Sequence, residues 1–293
     1  MNLLPILRAE FLKLRRAPVQ FLLWLIPFAY LVMDYRVFGR FVLWRGGAGM
    51  LGATPLALLP LKSLGLLWAG LFHPLLLALI PPLLMQMEHR PKMWRHLHVL
   101  PVSRRGLYLG KVIVLLALHV ACLALVVLGL RLEWGLIGWI RPQAGFPFPW
   151  LPLLKVMGML FLGSLPVQAL YLWISDRITA AAVPVFVGLM GLLLTIALTG
   201  QDLVEQWRRD LVPWVLPYAC AQRAIEQHEA QQQVHLAAVP FQKARPRLRV
   251  YTWEELGLPA PIPTPTWLLW TASLVGGMAL VGLGARDASR NRE

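Results

Sequence analysis

The sequence predicts an all-α membrane protein with six transmembrane helices, preceded by an amphipathic interfacial helix at the N-terminus. Of the 293 residues, 58% are hydrophobic and only 14% are charged, and the mean hydropathy is +0.60. A soluble domain could not bury so much apolar surface, so the surplus must face lipid. Runs without Asp, Glu, Lys or Arg recur along the chain, and a helix needs roughly 20 such residues to cross a bilayer.

The first element is an amphipathic helix predicted over residues 1–17, lying along the inner leaflet. Lys13 and Arg16 are placed opposite its apolar stripe, which is the pattern of a helix at a membrane surface. The alternative is that this segment is only the cytoplasmic start of the first span. The apolar stripe consists of Leu4, Leu7, Phe11 and Leu14.

The six predicted spans follow without an intervening soluble domain, so the chain is expected to form a single transmembrane domain. The first span is the weakest because it is short and contains Pro27. Pro166 and Pro184 predict kinks in the fourth and fifth. The spans are residues 19–36, 64–87, 112–131, 154–174, 180–199 and 265–284.

The segment 200–264 is too long to be a simple connection and must have a structure or partner of its own. Within it, residues 211–221 are apolar over about half the length of a span. This stretch predicts a re-entrant or interfacial helix at the outer leaflet, and an amphipathic surface helix is an equally weighted alternative.

The net charge of +14 comes from short Lys and Arg clusters between the apolar runs, which suit anionic lipid headgroups better than nucleic acid. An even number of spans places both termini on one side of the membrane. The bias of basic residues toward the termini and toward residues 88–111 predicts that these segments are cytoplasmic. Arg40 and Arg45, in the first predicted outer loop, partly oppose this bias.

The sequence offers little evidence of catalysis within this chain. The stretch from Gly106 to Val112 resembles a phosphate-binding loop but lacks both the spacing and the Ser or Thr that would bind Mg²⁺. His73 and His119 lie in apolar runs, where an ionisable residue indicates either a functional role, such as that of an intramembrane enzyme, or a hydrogen bond to a neighbouring helix. We expect the hydrogen bond. No paired acids are found inside the predicted spans, which disfavours a proton-driven transporter.

The loop between the second and third spans, residues 88–111, is more structured than a connector requires. Its middle predicts a short, partly apolar helix delimited by Pro91 and Pro101, and Ser103 is placed to cap the helix that begins the third span. A partly apolar helix offered to the cytosol usually marks a contact surface. We therefore predict that this loop docks a soluble partner; a solvated connector is the alternative.

Taken together, these segments resemble the transmembrane permeases of ABC-2 type exporters, which pair with a separate ATPase. The N-terminal motif reads Arg8-Ala9-Glu10-Phe11-x-Lys13. The loop reads Glu88, then Trp94-Arg95, Leu100-Pro101-Val102-Ser103-Arg104 and Tyr108-x-x-Lys111. The resemblance implies that this loop fits a groove of the ATPase, with Trp94, Leu97 and Leu100 as apolar knobs. It also implies a second, shorter contact at Ser175-Asp176-Arg177.

The resemblance also carries expectations about partners and cargo. It implies two copies of an ATPase that hold ATP and Mg²⁺, no cofactor in this chain, a second permease copy or a sibling permease, and a bacterial cytoplasmic membrane. The expected cargo is a hydrophobic or amphipathic compound, and a lantibiotic-like or bacteriocin-like peptide in a self-protection role is the favoured case. A drug or lipid exporter of the same family is the alternative. The long basic stretch after Glu226 departs from the family pattern.

Overall fold

The computed structural model describes residues 3–14, 17–40, 42, 59–89, 104–140, 148–178, 180, 182–199, 215–237 and 266–290. Every regular element within these ranges is a helix, which confirms the all-α prediction for the described part of the chain. The central part of the predicted docking loop, residues 90–103, lies outside the described residues. So do residues 200–214 and 238–264 of the long segment.

Eight helices make up the described structure. Two of them contain wider π-helical turns: α2 continues from Pro18–Asp34 into Tyr35–Gly39, and α3 joins Leu59–Ser63, the π-helical Leu64–Phe72 and His73–His89. The remaining helices are α1 (Leu3–Leu14), α4 (Arg104–Ile140), α5 (Trp150–Arg177), α6 (Ala182–Thr199), α7 (Leu216–Ala237) and α8 (Thr266–Arg290).

In the described part of the chain, five helical stretches are long and apolar enough to cross a membrane: Pro18–Gly39, Leu59–Met87, Arg105–Ile140, Trp150–Arg177 and Leu268–Asp287. The predicted fifth span corresponds to α6, whose stretch Ala182–Leu194 is apolar but shorter. At 18 residues, α6 is close to the lower limit of roughly 17 for a spanning helix. The total of six spans therefore stays a prediction.

Helix α4 is the longest element, and it extends past both ends of the span predicted at 112–131. Its 37 residues correspond to about 55 Å of helix, compared with a hydrocarbon core of about 30 Å. Hydropathy identifies only the part of a helix that contacts lipid. The backbone hydrogen bonds of the helix continue beyond that part wherever no Pro interrupts them. The extension places Glu133 and Trp134 on the same helix as Lys111.

The core of the bundle forms around α5, which packs against α3, α7 and α8. Helix α2 packs against α3 and α4, and α1 packs against α4. Trp68, Tyr30 and Tyr171 are among the largest side chains that are fully buried in this core. Many other large apolar side chains are exposed, as expected for helices that face lipid.

Helix α7 differs from the short helix expected at residues 211–221. It begins at Leu216 and has 22 residues, since its polar second half is also a good helix former. Its first turn contains Pro217, a position where proline is tolerated. A Cβ on Gly163 of α5 would lie 2.9 Å from the Pro217 Cα atom. The N-terminal half of α7 is therefore enclosed by the bundle and does not lie on an open surface.

The helices define two ends of the bundle. At one end, which we call the terminal end, α1, the start of α4 and the last turns of α5 and α8 meet through Glu10, Lys111, Arg177 and Asp287. At the opposite end, α2, α3 and α4 meet around Asp34. The first and the last described helices thus share one end of the bundle.

Candidate functional site

A buried ion pair at the terminal end connects α1 to α4. The Glu10 carboxylate accepts hydrogen bonds from the Lys13 ammonium at 2.6 Å and the Lys111 ammonium at 3.3 Å. Glu10 and Lys111 are 1% and 2% exposed. The sequence singled out these residues in separate motifs, and the structure brings them together. Lys13 lies one helical turn from Glu10, where side chains face each other.

The face that α1 presents to the bundle contains only part of the predicted apolar stripe. Leu14 is buried and Leu7 packs against the core, but Phe11 is 46% exposed and Arg8 is also exposed. The buried Glu10 takes the inward position because Lys111 neutralises it there. Phe11 is therefore available to lipid or to a partner.

Gly110 and Lys111, which suggested a degenerate phosphate-binding loop, have a packing role. A Cβ on Gly110 would lie 2.9 Å from Cγ2 of Ile6, so the close approach of α1 to α4 depends on the absence of a side chain at this position. Lys111, the next residue, supplies the ion pair with Glu10. The glycine and lysine of this motif serve helix docking within the described structure.

Tyr108 fixes α4 against α8 at the same end. Its side chain is 3% exposed, and its ring occupies the position that a Cβ on Gly284 would take. The hydroxyl has no hydrogen-bond partner among the described residues. Arg104 begins α4 and Glu88 lies near the end of α3, so the two ends of the predicted docking loop both emerge from the terminal end.

The second predicted contact, Ser175 to Arg177, forms the last turn of α5 and not a loop. The Ser175 hydroxyl donates to the Tyr171 carbonyl oxygen at 2.6 Å, and the Ile178 amide still bonds to the Ile174 carbonyl oxygen. These bonds continue the helix three residues beyond the predicted span.

Asp287 of α8 links this turn to the neighbouring helix. Its carboxylate pairs with the Arg177 guanidinium at 2.5 Å and accepts a hydrogen bond from the Trp173 indole at 2.9 Å. Asp287 and Trp173 were not predicted, because nothing in the sequence indicates that these two helix ends are neighbours.

The part of the docking loop with the most specific motif lies outside the described residues. The structure therefore does not test the prediction for its central positions, and it describes no side chains for Glu88 and Arg104. The positions concerned are Trp94, Arg95, Leu97, Leu100, Pro101 and Ser103.

His73 and His119 form a hydrogen-bonded chain that ties three helices together. Their Nε2 atoms are 3.0 Å apart, and the Gln168 amide donates to His119 Nδ1 at 2.5 Å and to the Ser164 hydroxyl oxygen at 2.8 Å. The expected hydrogen bond of a histidine to a neighbouring helix is thus confirmed. The Ser164 hydroxyl donates to the Phe161 carbonyl oxygen, so its proton is directed away from His119 and the geometry is not that of an activated nucleophile.

A second polar cluster at the opposite end corrects the prediction that no acids pair within the spans. Asp34 accepts hydrogen bonds from Ser63 and from the Trp134 indole, and its carboxyl group also hydrogen-bonds with that of Glu133. A bond between two carboxyl groups requires that they share a proton. The pair was missed because Glu133 lies beyond the predicted end of the third span, and α4 extends far enough to include it.

None of these clusters has the composition of a metal centre. Within the described residues, no group of three or more His, Cys, Asp or Glu side chains is placed to hold a metal ion. Cys122 and Cys220 are both buried, and neither forms a disulfide. The polar groups of the described bundle therefore connect helices to one another, at the terminal end, at mid-depth and at the opposite end.

The sequence was compared with known families and structures. A family model described as "ABC-2 family transporter protein" matches residues 6–191. The match includes α1 with its ion pair, the whole docking loop and the last turn of α5. No curated protein and no solved structure matches the chain.

Proposed function

Because the chain belongs to the ABC-2 transporter family, we propose that it is the permease subunit of an ATP-driven exporter and couples ATP hydrolysis by a separate ATPase to the movement of a hydrophobic or amphipathic compound. The observation that carries this proposal is the family match, which extends over well over half of the 293 residues. The apolar helices supply the membrane setting that such a subunit requires.

The ATP chemistry is assigned to the partner. The only stretch of this chain that resembles a phosphate-binding loop uses Gly110 for close helix packing and Lys111 for an ion pair. A phosphate-binding loop needs its Lys and backbone amides free to surround the phosphates. Two ATPase copies with bound ATP and Mg²⁺ would serve a pair of permeases, either two copies of this chain or this chain with a sibling.

The coupling route is the loop 88–111. Its second end begins α4, which packs beside α1, and α1 is held to α4 by the Glu10–Lys111 pair. Arg177 and Asp287 hold the last turn of α5 to α8. Because these contacts hold the helix ends rigidly together, motion of a docked partner is transmitted to the spans and is not absorbed locally.

The test is co-purification of the full-length permease with its candidate partner ATPase. The double substitution Trp94→Ala/Leu97→Ala removes two predicted knobs and should abolish co-purification while leaving membrane insertion intact. The matched control is Trp139→Ala/Leu136→Ala, which removes the same residue types at the same spacing. Trp139 and Leu136 are 81% and 60% exposed on α4, at the opposite end of the bundle.

Three results would count against the proposal. Retained binding by the Trp94/Leu97 variant would mean that the ATPase docks elsewhere. Equal loss in the control would mean that the effect comes from general damage to the bundle. Catalytic turnover of a substrate by the purified chain alone would instead favour an intramembrane enzyme.

For the cargo we propose a membrane-active peptide of the lantibiotic or bacteriocin type. The size of the chain and the amino-acid sequence of its docking loop support this proposal. Drug and lipid cargo remain the alternatives. Expression of the permease with its ATPase in a sensitive bacterium should raise the inhibitory concentration of such peptides. A catalytically dead ATPase should remove this protection, and unchanged sensitivity with the active pair would exclude peptides as cargo.

A further inference from the structure

One arginine lies on the lipid-facing side of α4. Between Val112 and Leu130, the exposed side chains of this helix recur at helical spacing and all are apolar. They are Ile113, Ala117, Val120, Ala121, Ala124 and Leu128. Arg131 follows one turn after Leu128 on the same side and is itself exposed. A charged side chain that continues a lipid-facing row needs a polar partner at the edge of the hydrocarbon.

The position of Arg131 along α4 corresponds to that edge. At the terminal end, Lys111 of α4 pairs with Glu10 of the amphipathic helix α1, which is the kind of helix that lies at a membrane surface. Arg131 lies 20 residues further along α4, which is about 30 Å of helix and equals the thickness of a typical hydrocarbon core. The Arg131 charge is therefore at the level of the phospholipid headgroups in the leaflet at the opposite end.

Two aromatic rings and a glycine hold the guanidinium of Arg131 in place. Its Cζ atom lies over the rings of Phe148 and Trp150, 5.7 and 5.9 Å from their centroids. A Cβ on Gly135 would lie 2.7 Å from its Nη1 atom, so the guanidinium occupies space that any other residue at this position would fill. Gly135 is one turn closer to the opposite end than Arg131. The side chain therefore bends away from the hydrocarbon, toward the headgroups.

The N–H donors of this guanidinium have no acceptor in the described part of the chain. The rings contact the face of the guanidinium, whereas its donors lie in its plane and point outward. Among the described residues, Arg131 forms neither an ion pair nor a hydrogen bond. Glu133, two residues along α4, is turned to another side of the helix and bonds to Asp34. An arginine with unused donors at this depth suits a phosphate, which accepts two parallel N–H bonds from one guanidinium.

We propose that Arg131, Phe148 and Trp150 form a binding site for the phosphate of an anionic phospholipid in the leaflet at the opposite end. The acyl chains of this lipid extend over Leu128 of α4 and Leu154 of α5, which are both exposed. The site depends on the membrane setting of the chain and not on the exporter function proposed above.

The charges around the site favour a headgroup without an ammonium. The headgroups of phosphatidylethanolamine and phosphatidylcholine would place a second positive charge close to Arg131. An acid could compensate that charge, but the nearby Asp34 and Glu133 are bonded to each other. Phosphatidylglycerol carries the same phosphate without the ammonium, so it should bind more tightly than phosphatidylethanolamine.

The experiment uses the full-length chain in phosphatidylcholine vesicles that contain a small fraction of a photoactivatable lipid. A phosphatidylglycerol probe and a phosphatidylethanolamine probe carry the same diazirine near the carboxyl end of one acyl chain, so they differ only in the headgroup. Labelled positions are mapped by mass spectrometry. In the wild-type protein, the phosphatidylglycerol probe should label the region of Leu128 and Leu154 about fivefold more than the other probe, the ratio expected from one basic residue at an anionic headgroup. Unlabelled phosphatidylglycerol should compete with the probe, and inorganic phosphate should not.

Two pairs of substitutions separate this site from the general positive charge of the protein. Arg131→Gln should remove the preference for phosphatidylglycerol, whereas Arg36→Gln, at an exposed arginine of α2 near the same end, should retain it. Gly135→Val keeps every charge but displaces the guanidinium, so it should also reduce the preference, and it tests the site even if Arg131→Gln does not fold. Gly138→Val is the matched control because a Cβ on Gly138 meets nothing within 4 Å.

Each remaining outcome would overturn the proposal. Equal labelling of the wild type by both probes would mean that the headgroup is not recognised. A preference that persists in Arg131→Gln, or that is lost equally in Arg36→Gln, would mean that other charges attract the lipid. Equal loss in Gly135→Val and Gly138→Val would indicate general damage to α4. Competition by inorganic phosphate would identify a site for a soluble anion, and no labelling near Leu128 and Leu154 would mean that protein, such as a second copy, covers this surface.

Discussion

At the scale of single residues, the Glu10–Lys111 pair has the largest predicted effect. Both side chains are almost completely buried. Glu10→Met removes the carboxylate that pairs with Lys111, whereas Lys111→Met leaves Glu10 its shorter contact with Lys13. Glu10→Met should therefore lower the free energy of unfolding by about 3–5 kcal/mol and Lys111→Met by less, and the double substitution should cost less than the sum of the two. Thermal unfolding of the purified protein in detergent measures all three variants.

The control for this prediction is an ion pair within one helix whose carboxylate is exposed. Arg223 and Glu226 are 2.6 Å apart, and their side chains are 11% and 52% exposed. Glu226→Met should change the free energy of unfolding by about 1 kcal/mol or less, because the exposed carboxylate is screened by water. A double Glu10/Lys111 variant whose loss equals the sum of the single losses would contradict the assigned coupling.

Asp34 gives a second prediction at this scale, because it bonds to three side chains. Asp34→Asn keeps an acceptor for Ser63 or Trp134 and a donor for Glu133, so the melting temperature should fall only slightly. Asp34→Leu leaves all three partners without it, and each unpaired buried group costs about 1–3 kcal/mol. Equal melting temperatures for the two variants would show that the cluster does not contribute to stability.

Sequence reasoning identified residues at this scale better than it identified their partners. Glu10 and Lys111 were both singled out from the sequence. Their contact depends on how α1 docks against α4 at Gly110, and the local sequence around either residue does not encode this docking. Glu133 was missed because Arg131, the first charged residue after the apolar run, was taken to mark the end of the span. A charge can lie inside a long helix when another helix supplies its hydrogen bond, as Asp34 does here.

At the scale of elements, two glycines two residues apart on α8 should respond oppositely to alanine. A Cβ on Gly284 would collide with the Tyr108 ring, whereas a Cβ on Gly282 meets nothing within 4 Å. Gly282→Ala should therefore stabilise the helix by about 0.5–1 kcal/mol. Gly284→Ala should lower the melting temperature because α8 must move away from α4.

The origin of the Gly284 effect can be checked by changing the other side of the contact. Tyr108→Leu removes the ring that the new methyl group would meet, so the double variant Gly284→Ala/Tyr108→Leu should melt above Gly284→Ala alone. If Gly282→Ala and Gly284→Ala melt alike, α4 and α8 do not approach each other closely at this position.

The helices themselves were largely predictable, and their ends were not. Long apolar runs indicated α2 to α5 and α8 because lipid contact imposes that composition. Hydropathy ended the fourth span before Ser175, yet the helix continues to Arg177 since Asp287 neutralises that arginine. Helix α7 was only partly indicated because half of it is polar, and its position against Gly163 is a tertiary contact.

At the scale of the whole molecule, the relative direction of α5 and α8 bears on the number of crossings. Leu165 of α5 lies next to Gly277 of α8, and Arg177, further along α5, pairs with Asp287, further along α8. The two helices therefore run parallel, both toward the terminal end. The chain between them must return to the opposite end, and α6 is the apolar helix in the described part of that stretch.

An even number of crossings makes a prediction about accessibility that cysteine labelling can test. The native Cys122 and Cys220 are buried and should give little background. In intact cells, a membrane-impermeant maleimide should label Trp139→Cys, near the opposite end of α4, but should label neither Arg8→Cys nor Asn291→Cys until the membrane is permeabilised. This follows because the basic clusters favour a cytoplasmic terminal end.

Labelling of Asn291→Cys together with Trp139→Cys would mean that α6 does not cross. Labelling of Arg8→Cys and Asn291→Cys without Trp139→Cys would mean that the bundle is inverted, in which case the docking loop could not reach a cytoplasmic ATPase.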